Sequence, residues 1–333
     1  MMKTTEVEGA ARSGSALGRP AAWLRANRDT LRLFVPVAAL WVALTILSPN
    51  FLTSINITNI LVNAAPLALA AAGLTLVIIA GDLDLSVGSA IALVSTASAL
   101  FMTHFHVPWP LGMLLGLGIG VVVGVVNGSL TTFLNIPSFI STLAMMSTLR
   151  GFALVISDGR AVTGLPAGAT SLSSTNFLGV SGVIWIPGIV IPVLGFVLTR
   201  TSFGLNVFAV GGNREAAKIA GVPIRRTRLA VLTISGAMAG FAGIISTARL
   251  GVGSPIIADD LILDAIAAVV IGGTSLFGGV GRMGGTVLGV ILIATIRNGL
   301  VLMNVSSFYQ RIVIGLVILA AASLDSLGRK SDD

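Results

Sequence analysis

The motif GDLDLSVGS, residues 81–89, places two carboxylates inside an otherwise apolar stretch. Acidic side chains within or at the edge of a membrane are costly and are usually functional or paired. Asp82 and Asp84 are therefore candidates for a proton relay. The residues that follow also suit a helix start, where Asp84 or Ser86 would cap free N–H groups. A third interpretation is a broken helix whose exposed backbone lines a cavity.

The segment VGGNREAAKIAGVPIRRTR, residues 210–228, is the second stretch rich in functional side chains. Residues 215–219 predict a short amphipathic helix, which Gly221 and Pro223 would end. A rigid short helix with basic flanks suits the docking of a soluble partner. The alternative interpretation is a cytoplasmic loop that carries positive charge and has no docking role.

A third stretch, LDAIAAVVIGGTSLFGGVGRMGGTVLG at 263–289, contains one acid, Asp264, and a glycine-rich break. Its run VVIGGTSLFGG resembles VIIAGDLDLSVG in the first half, because each is an apolar run that reaches a glycine-rich break. Transporters often contain internal repeats of this kind. The similarity is weak, and the function is not argued from it.

Other patterns do not qualify as catalytic, cofactor or metal sites. GVGRMG at 279–284 matches the dinucleotide fingerprint but lacks the acid that should follow about 20 residues later. No lysine follows a glycine, so the chain has no phosphate-binding loop, and any ATP hydrolysis requires another polypeptide. The chain has no cysteine, and we interpret His104 and His106 as part of a short membrane-exit loop. We therefore predict no catalytic residue, metal or cofactor in this chain.

The elements that position these motifs are predicted to be transmembrane helices. The chain is 55% hydrophobic and only 10% charged, with a mean hydropathy of +0.99. A soluble domain carries about 25% charged residues. The apolar runs are long and continuous, which indicates helices and not the short alternating strands of a membrane barrel. We therefore predict an all-α, polytopic membrane protein in contact with lipid. Its net charge of +7 is explained by membrane topology, so no nucleic-acid partner is predicted.

About ten transmembrane helices are predicted, with one or two broken or re-entrant segments. The runs lie at about 31–48, 59–80, 85–103, 111–133, 138–157, 184–200, 229–250, 262–277, 284–303 and 309–327. The eighth is short and interrupted by glycine, so nine spans and one re-entrant segment are an alternative. The transmembrane domain, 31–327, lies between an N-terminal extension, 1–30, and a C-terminal tail, 328–333.

Basic residues predict the orientation of these spans. With ten spans, both termini and the loop at 201–228 lie on one side, and most of the 20 basic residues fall there. Positive charge collects on the cytoplasmic side of membrane proteins, so this side is predicted to be cytoplasmic. The segment at 158–183, which is rich in glycine, serine and threonine, then lies outside.

Glycines recur at every fourth position in the fourth predicted span. Such a face lets another helix approach closely. Shorter repeats occur at two later places in the chain. The glycines concerned are Gly112, Gly116, Gly120, Gly124 and Gly128, then Gly236 and Gly240, then Gly281, Gly285 and Gly289. The pattern predicts a tightly packed bundle and does not by itself indicate transport.

Taken together, these motifs resemble the permease subunit of ribose-type sugar ABC importers. Besides GDLDLSVGS, the motifs GGNREAAKIAG, STARLG, LDAIAAVVIGGTSLFGG, YQRIVIGLVILAA and NIPSFISTLAMMSTLRGFAL are similar to that family's patterns. The resemblance covers about residues 33–325. It implies a bacterial inner-membrane protein with three kinds of partner: a cytoplasmic ABC ATPase that binds ATP and Mg, a periplasmic or lipid-anchored sugar-binding protein, and a second permease, identical or paralogous. It also places the contact with the ATPase at Asn213, Arg214, Glu215, Ala216, Ala217 and Gly221.

On this interpretation the chain moves a monosaccharide, namely a ribose-like pentose, a hexose or a related polyol, by alternating access. Uncharged polar side chains should line the path. The candidates are Asn63, Ser86, Asn127, Asn135, Ser138, Thr274, Ser275 and Asn298, to which the acids Asp84 and Asp264 are added. The alternative is an ion-coupled secondary transporter that uses Asp82 or Asp84 as a proton relay. It explains the acids but assigns no role to the short inner helix.

Overall fold

The computed structural model describes residues 28–329, which form a helical bundle. The first six helices are α1 Arg28–Leu47, α2 Ser54–Ile79, α3 Val87–Thr103, α4 Trp109–Thr132, α5 Ser138–Ile156 and α6 Ala167–Ser174. A small antiparallel hairpin follows, with β1 Asn176–Phe177 and β2 Val180–Ser181. The later helices are α7 Gly182–Arg200, α8 Ser202–Gly212, α9 Arg214–Ile219, α10 Ile224–Leu250, α11 Leu261–Ile271, α12 Met283–Leu302 and α13 Ser307–Arg329. The all-α class is confirmed. Most of the predicted N-terminal extension and C-terminal tail lies outside the described residues.

Each of the ten predicted apolar runs contains a helix. Among the described residues, six helices are long and apolar enough to cross a membrane, namely α2, α4, α5, α7, α10 and α12. Several shorter apolar helices complete the set, of which α3 has 17 residues, a length of about 26 Å. The polytopic membrane architecture is therefore confirmed. His104 and His106 lie in the short α3–α4 connection, as predicted.

The predicted break in the eighth span is confirmed, because α11 has only 11 residues. Its length of about 16 Å covers roughly half of a bilayer core about 30 Å thick. The non-helical segment 251–260 covers the remaining depth. It runs along α3, where Gly253 packs on Ala99 and the carbonyl of Ala258 lies against Gly88. Non-helical backbone at membrane depth is tolerated only where protein or a water-filled cavity surrounds it.

Helices α4 and α10 are held together by backbone contact along the predicted glycine face. A Cβ atom added to Gly120 would lie 2.6 Å from the carbonyl oxygen of Gly236, and one added to Gly124 would lie 2.6 Å from that of Leu232. Neither position has room for a side chain. The close packing predicted from the fourfold spacing is thus confirmed.

The centre of the bundle is α2, which is 83% buried over its most apolar stretch. It packs against α7, α10, α11 and α12. Helices α4, α5 and α7 keep apolar outer faces, which expose side chains such as Phe139, Phe152 and Phe196. A central helix that is apolar on every side and outer helices that are apolar outward are expected of a bundle that faces lipid.

Candidate coupling and translocation sites

A network of ion pairs joins the α2–α3 turn to the segment that follows α8. Asp82 is buried and receives two hydrogen bonds from Arg228 in α10, from Nε to Oδ2 and from Nη2 to Oδ1, both at 2.7 Å. Arg214, at the start of α9, donates from Nη2 to Oδ1 of Asp82 and to the carbonyl of Gly81, both at 3.0 Å. A bidentate arginine–carboxylate pair fixes orientation as well as charge. We call Asp82, Arg214 and Arg228 the coupling corner.

The short helix α9 forms at the predicted position, and its two ends are fixed by local signals, of which the sequence analysis identified the one at the C-terminus. Asn213 is the N-cap, and its Oδ1 accepts from the N–H of Ala216 at 3.0 Å. Gly221 follows the C-cap with a φ of 76°, a left-handed conformation that favours glycine. Asn213 and Gly221 therefore shape α9, whereas Arg214 anchors it to the turn.

The side chains of α9 divide between an inner and an outer face. Ala217 is only 4% exposed, so it packs α9 against the rest of the chain and is not available to a partner. Glu215 and Ala216 are exposed, as is Ile219, with 87% of its surface accessible. Single exposed apolar residues are common on protein surfaces, so Ile219 marks the outward face of α9 and does not by itself define a docking site.

The ends of α2 and α8 and the turn after α11 meet beside the coupling corner. A Cβ atom on Gly211, near the end of α8, would overlap the carbonyl oxygen of Ile79 and lie 2.7 Å from the nitrogen of Gly279. Gly279 also donates its N–H to the carbonyl of Ile79 at 2.8 Å. Three segments of distant sequence thus converge at one point with almost no side chains between them.

Asp84 is the centre of a second, fully buried network two residues further on. Its Oδ1 accepts from the N–H and Oγ of Ser86 at 3.0 and 2.6 Å, and its Oδ2 accepts from Oγ of Ser235 at 2.8 Å. Nδ2 of Asn127 donates to Oγ of Ser86 at 2.7 Å. Burial of Asp84, which lies in the turn between α2 and α3, raises the pKa of its carboxyl, and the bonds from Ser86 and Ser235 oppose that rise.

The same turn is also fastened to α5 through its backbone. Oγ of Ser138 accepts from the N–H of Leu83, and Oγ1 of Thr142 accepts from the N–H of Leu85, both at 3.1 Å. The structure therefore brings together four of the predicted pathway residues, Asp84, Ser86, Asn127 and Ser138. The turn is held on three sides, by α4, α5 and α10.

Other pathway candidates lie apart from this network. Thr274 and Ser275 are buried in the turn after α11, and Oγ1 of Thr274 has no hydrogen-bond partner. Asp264 pairs with Arg297 between α11 and α12. Asn298, the next residue of α12, forms two reciprocal amide hydrogen bonds with Asn56, at 3.0 and 2.7 Å.

Two candidates lie nearer the surface. Asn63 accepts from Arg249 of α10, in a contact on the side of the bundle opposite the coupling corner. Asn135 is exposed in the α4–α5 turn, where its φ of 53° explains the choice of asparagine, since this residue tolerates the left-handed region. Among residues 28–329, no group of three or more histidine, aspartate or glutamate side chains is placed to hold a metal ion.

The described residues form a polytopic helical domain in which a short polar helix is held against the turn between two spans. Comparison with known proteins gives the family. Residues 56–322 match the family described as the branched-chain amino acid transport system / permease component. The chain belongs to this family of transport permeases. No solved structure matches it.

Curated relatives agree over nearly the whole chain. The L-arabinose transport system permease protein AraH of Escherichia coli is 36% identical over 328 residues, which are 98% of each chain. The ribose import permease protein RbsC of Bacillus subtilis is 43% identical over 299 residues, 88% of this chain and 91% of its own. The probable ABC transporter permease protein YphD of E. coli is 40% identical over 88% of each chain. The resemblance found in the sequence is confirmed, and the chain is a multi-pass membrane permease without an ATPase function of its own.

Proposed function

We propose that this permease carries a monosaccharide, a ribose-like pentose, a hexose or a related polyol, into the bacterial cytoplasm by alternating access. The substrate class is supported by relatives that are named for ribose and L-arabinose import. Selectivity for one sugar lies mainly in the sugar-binding protein, because only 6% of this chain is aromatic and aromatic side chains are the usual stacking partners of sugar rings.

The observation that carries the proposal is the coupling corner. Helix α9 presents Glu215, Ala216 and Ile219 outward, and Arg214 and Arg228 connect α9 and α10 to the buried Asp82. A displacement of α9 by a docked ATPase is therefore transmitted to the α2–α3 turn through the ion pair of Arg214 and Asp82. From there, the Asp84 network passes it on to α4 and α10. This is a direct physical link between an outer docking surface and the packed interior.

The same geometry argues against the ion-coupled alternative. Both oxygens of Asp82 are occupied by arginine N–H groups, and both oxygens of Asp84 accept hydrogen bonds from serine. A proton relay needs a carboxylate that can exchange protons with water along a pathway. Asp82 and Asp84 instead serve as fixed acceptors that hold helices in place.

The proposed assembly has three further components. A cytoplasmic ABC ATPase, which binds ATP and Mg, docks on α9. A periplasmic or lipid-anchored sugar-binding protein docks on the opposite face, near the segment at 158–183. A second permease, identical or paralogous, completes the translocation pore. This arrangement puts both termini in the cytoplasm, consistent with the excess of basic residues on that side.

Two matched glycine variants test the docking role of α9. Gly221 and Gly159 both have a left-handed φ, 76° and 68°, and no atom lies within 4 Å of an added Cβ in either case. Gly221→Val and Gly159→Val thus introduce similar backbone strain, but on opposite faces of the bundle. We expect Gly221→Val to lose the ATPase of the import system on purification and to lose sugar uptake in proteoliposomes. Gly159→Val should retain the ATPase. Full ATPase stoichiometry and uptake in Gly221→Val would overturn the docking role.

A further inference from the structure

A pocket of about 280 Å³ opens between the start of α3, the middle of α5 and the segment before α11. Polar groups on its wall come from Ser89, Ser147, Arg150 and Asp259, and Met146 adds apolar surface. The volume equals that of about nine molecules of liquid water, which is the scale of one monosaccharide ring with its hydroxyl groups. None of these residues was a candidate from the sequence.

The pocket lies at membrane depth. Arg150 is twelve residues from the first residue of α5 and six from the last, about 18 Å and 9 Å along the helix axis. On the opposite wall, the carbonyl of Ala258 would lie 2.8 Å from a Cβ on Gly88, so the non-helical segment closes directly on α3. The pocket is therefore inside the bundle's apolar zone and not at its surface loops.

The pocket contains an ion pair that is partly open. Arg150 pairs with Asp259 and also donates to the carbonyls of Pro255 and Ile257. One guanidinium thus contacts the non-helical segment at three residues. The side chain of Asp259 is nevertheless 57% exposed and that of Arg150 is 21% exposed. Charged groups at this depth are strongly unfavourable against lipid and are found facing water-filled cavities or protein. The open side of the pocket is therefore expected to face water, a polar solute or another protein chain and not lipid.

We propose that this pocket is a sugar-binding site within the membrane, on the translocation path. Asp259 accepts hydrogen bonds from neighbouring sugar hydroxyls, Arg150 donates to ring or hydroxyl oxygens, and Ser147 supplies a hydroxyl that can do either. A neutral polyol uses such donors and acceptors without having to neutralise the ion pair. The few polar groups and the open side favour weak binding, which lets a transported solute leave. This inference deepens the proposed function and rests on it.

The absence of cysteine from the chain makes a direct test possible. Ser147→Cys would be introduced into the permease assembled with its ATPase, and labelled with a small charged methanethiosulfonate reagent, with and without the imported sugar at high concentration. We expect labelling from water and a severalfold slower reaction in the presence of sugar. Thr148→Cys is the matched control, because Thr148 is the next residue of α5, is exposed and does not line the pocket. Its labelling should not respond to sugar.

Uptake supplies the second measurement. Asp259→Asn should lower the maximal rate of sugar uptake about tenfold or more, while Asp260→Asn should change it less than twofold. Asp260 pairs with Arg311 and is not part of the pocket wall, so it controls for loss of a neighbouring charge. The site is overturned if Ser147→Cys is unreactive or unprotected, or if Asp259→Asn transports normally in a system whose wild type imports the sugar. Failure of the wild type to import any monosaccharide would instead overturn the proposed function.

Discussion

Helices α2 and α11 end in the same way, although they lie in different halves of the chain. After α2, Gly81 has a φ of 72°, and the N–H of Asp82 donates to the carbonyl of Val77 at 3.0 Å. After α11, Gly273 has a φ of 83°, and the N–H of Thr274 donates to the carbonyl of Val269 at 3.1 Å. Both are Schellman-type ends. The faint similarity between the two sequences therefore corresponds to a shared local structure.

The two ends differ in the side chain that follows the glycine. Asp82 is held by two arginines, whereas the buried hydroxyl of Thr274 at the equivalent position has no hydrogen-bond partner. Two residues later, Asp84 is buried in a hydrogen-bonded network, whereas Leu276 is 50% exposed. The comparison shows that a common backbone frame is followed by ion-paired and hydrogen-bonded acids in the first half, and by an unpaired hydroxyl and a half-exposed leucine in the second.

Removing the charge from the first turn should have the largest effect. Asp82→Asn leaves Arg228, which is largely buried, without an ionic partner, and breaking a buried pair in this way costs about 3–5 kcal/mol. We expect a large loss of thermal stability in detergent together with loss of ATPase binding. Asp158→Asn removes an acid from an exposed loop and should change neither. If the two variants are equally stable, the ion pairs of Asp82 do not stabilise the fold.

The Asp84 network should be the next most sensitive. Asp84→Leu removes the acceptor of Ser86 and Ser235, and each buried donor left unpaired costs about 1–3 kcal/mol. The variant should insert into the membrane but transport poorly, as measured by uptake normalised to protein level. Asp84→Asn, which keeps one oxygen acceptor, should be affected less. If Asp84→Leu is expressed normally and its uptake is normal, Asp84 has no role in transport and acts only as a helix cap.

The contact between the two turns is tested by adjacent glycines of α8. Gly211→Ala places a methyl group on the carbonyl of Ile79 and close to Gly279, so the two turns must separate, at a cost of about 1–3 kcal/mol. Gly212→Ala has no atom within 4 Å of the added Cβ and should be neutral. We expect Gly211→Ala to hydrolyse ATP in the assembled complex with weaker stimulation by sugar. If sugar stimulates ATP hydrolysis equally in the two variants, coupling does not depend on the contact between the turns after α2 and α11.

The smallest effect is expected in the second turn. Thr274→Val keeps the shape of the side chain and removes a buried hydroxyl that has no partner. Stability should be unchanged or rise by about 1 kcal/mol or less, since no hydrogen bond is lost. Thermal unfolding of the purified permease measures this change. Destabilisation by more than that amount would show that the second turn is as tightly specified as the first, and the contrast between the halves would disappear.

Local signals in the sequence predicted the spans and the end of α9, but not α6, α8 or the hairpin. Apolar runs predicted the spans, and Gly221 and Pro223 predicted the end of α9, because glycine and proline conformations depend on neighbours along the chain. The glycine spacing of α4 likewise predicted a close contact.

Partners that are distant in sequence could not be predicted in this way. Arg228 lies 146 residues from Asp82, and the basic run that contains it was explained by membrane topology alone. Ala217 was expected to face the ATPase but turns inward, because the rotation of a six-residue helix is set by what it packs against and not by its own sequence. The pair of Arg150 and Asp259 forms only because α11 is preceded by a non-helical segment that descends along α3.

The glycine contact between α4 and α10 has a mechanical consequence. With no side chains between them at Gly120 and Gly236, the two helices have nothing to repack and must move as one rigid body. Helix α10 has 27 residues, so this body is a lever about 40 Å long, with Arg228 near one end and Arg249 near the other. A tilt of about 5° at the end that holds Asp82 would displace the far end by roughly 3–4 Å on a rod of that length. Arg249 contacts Asn63 of α2 there, so a tilt that begins at the coupling corner would change the contact of Arg249 with Asn63 at the opposite end of α10.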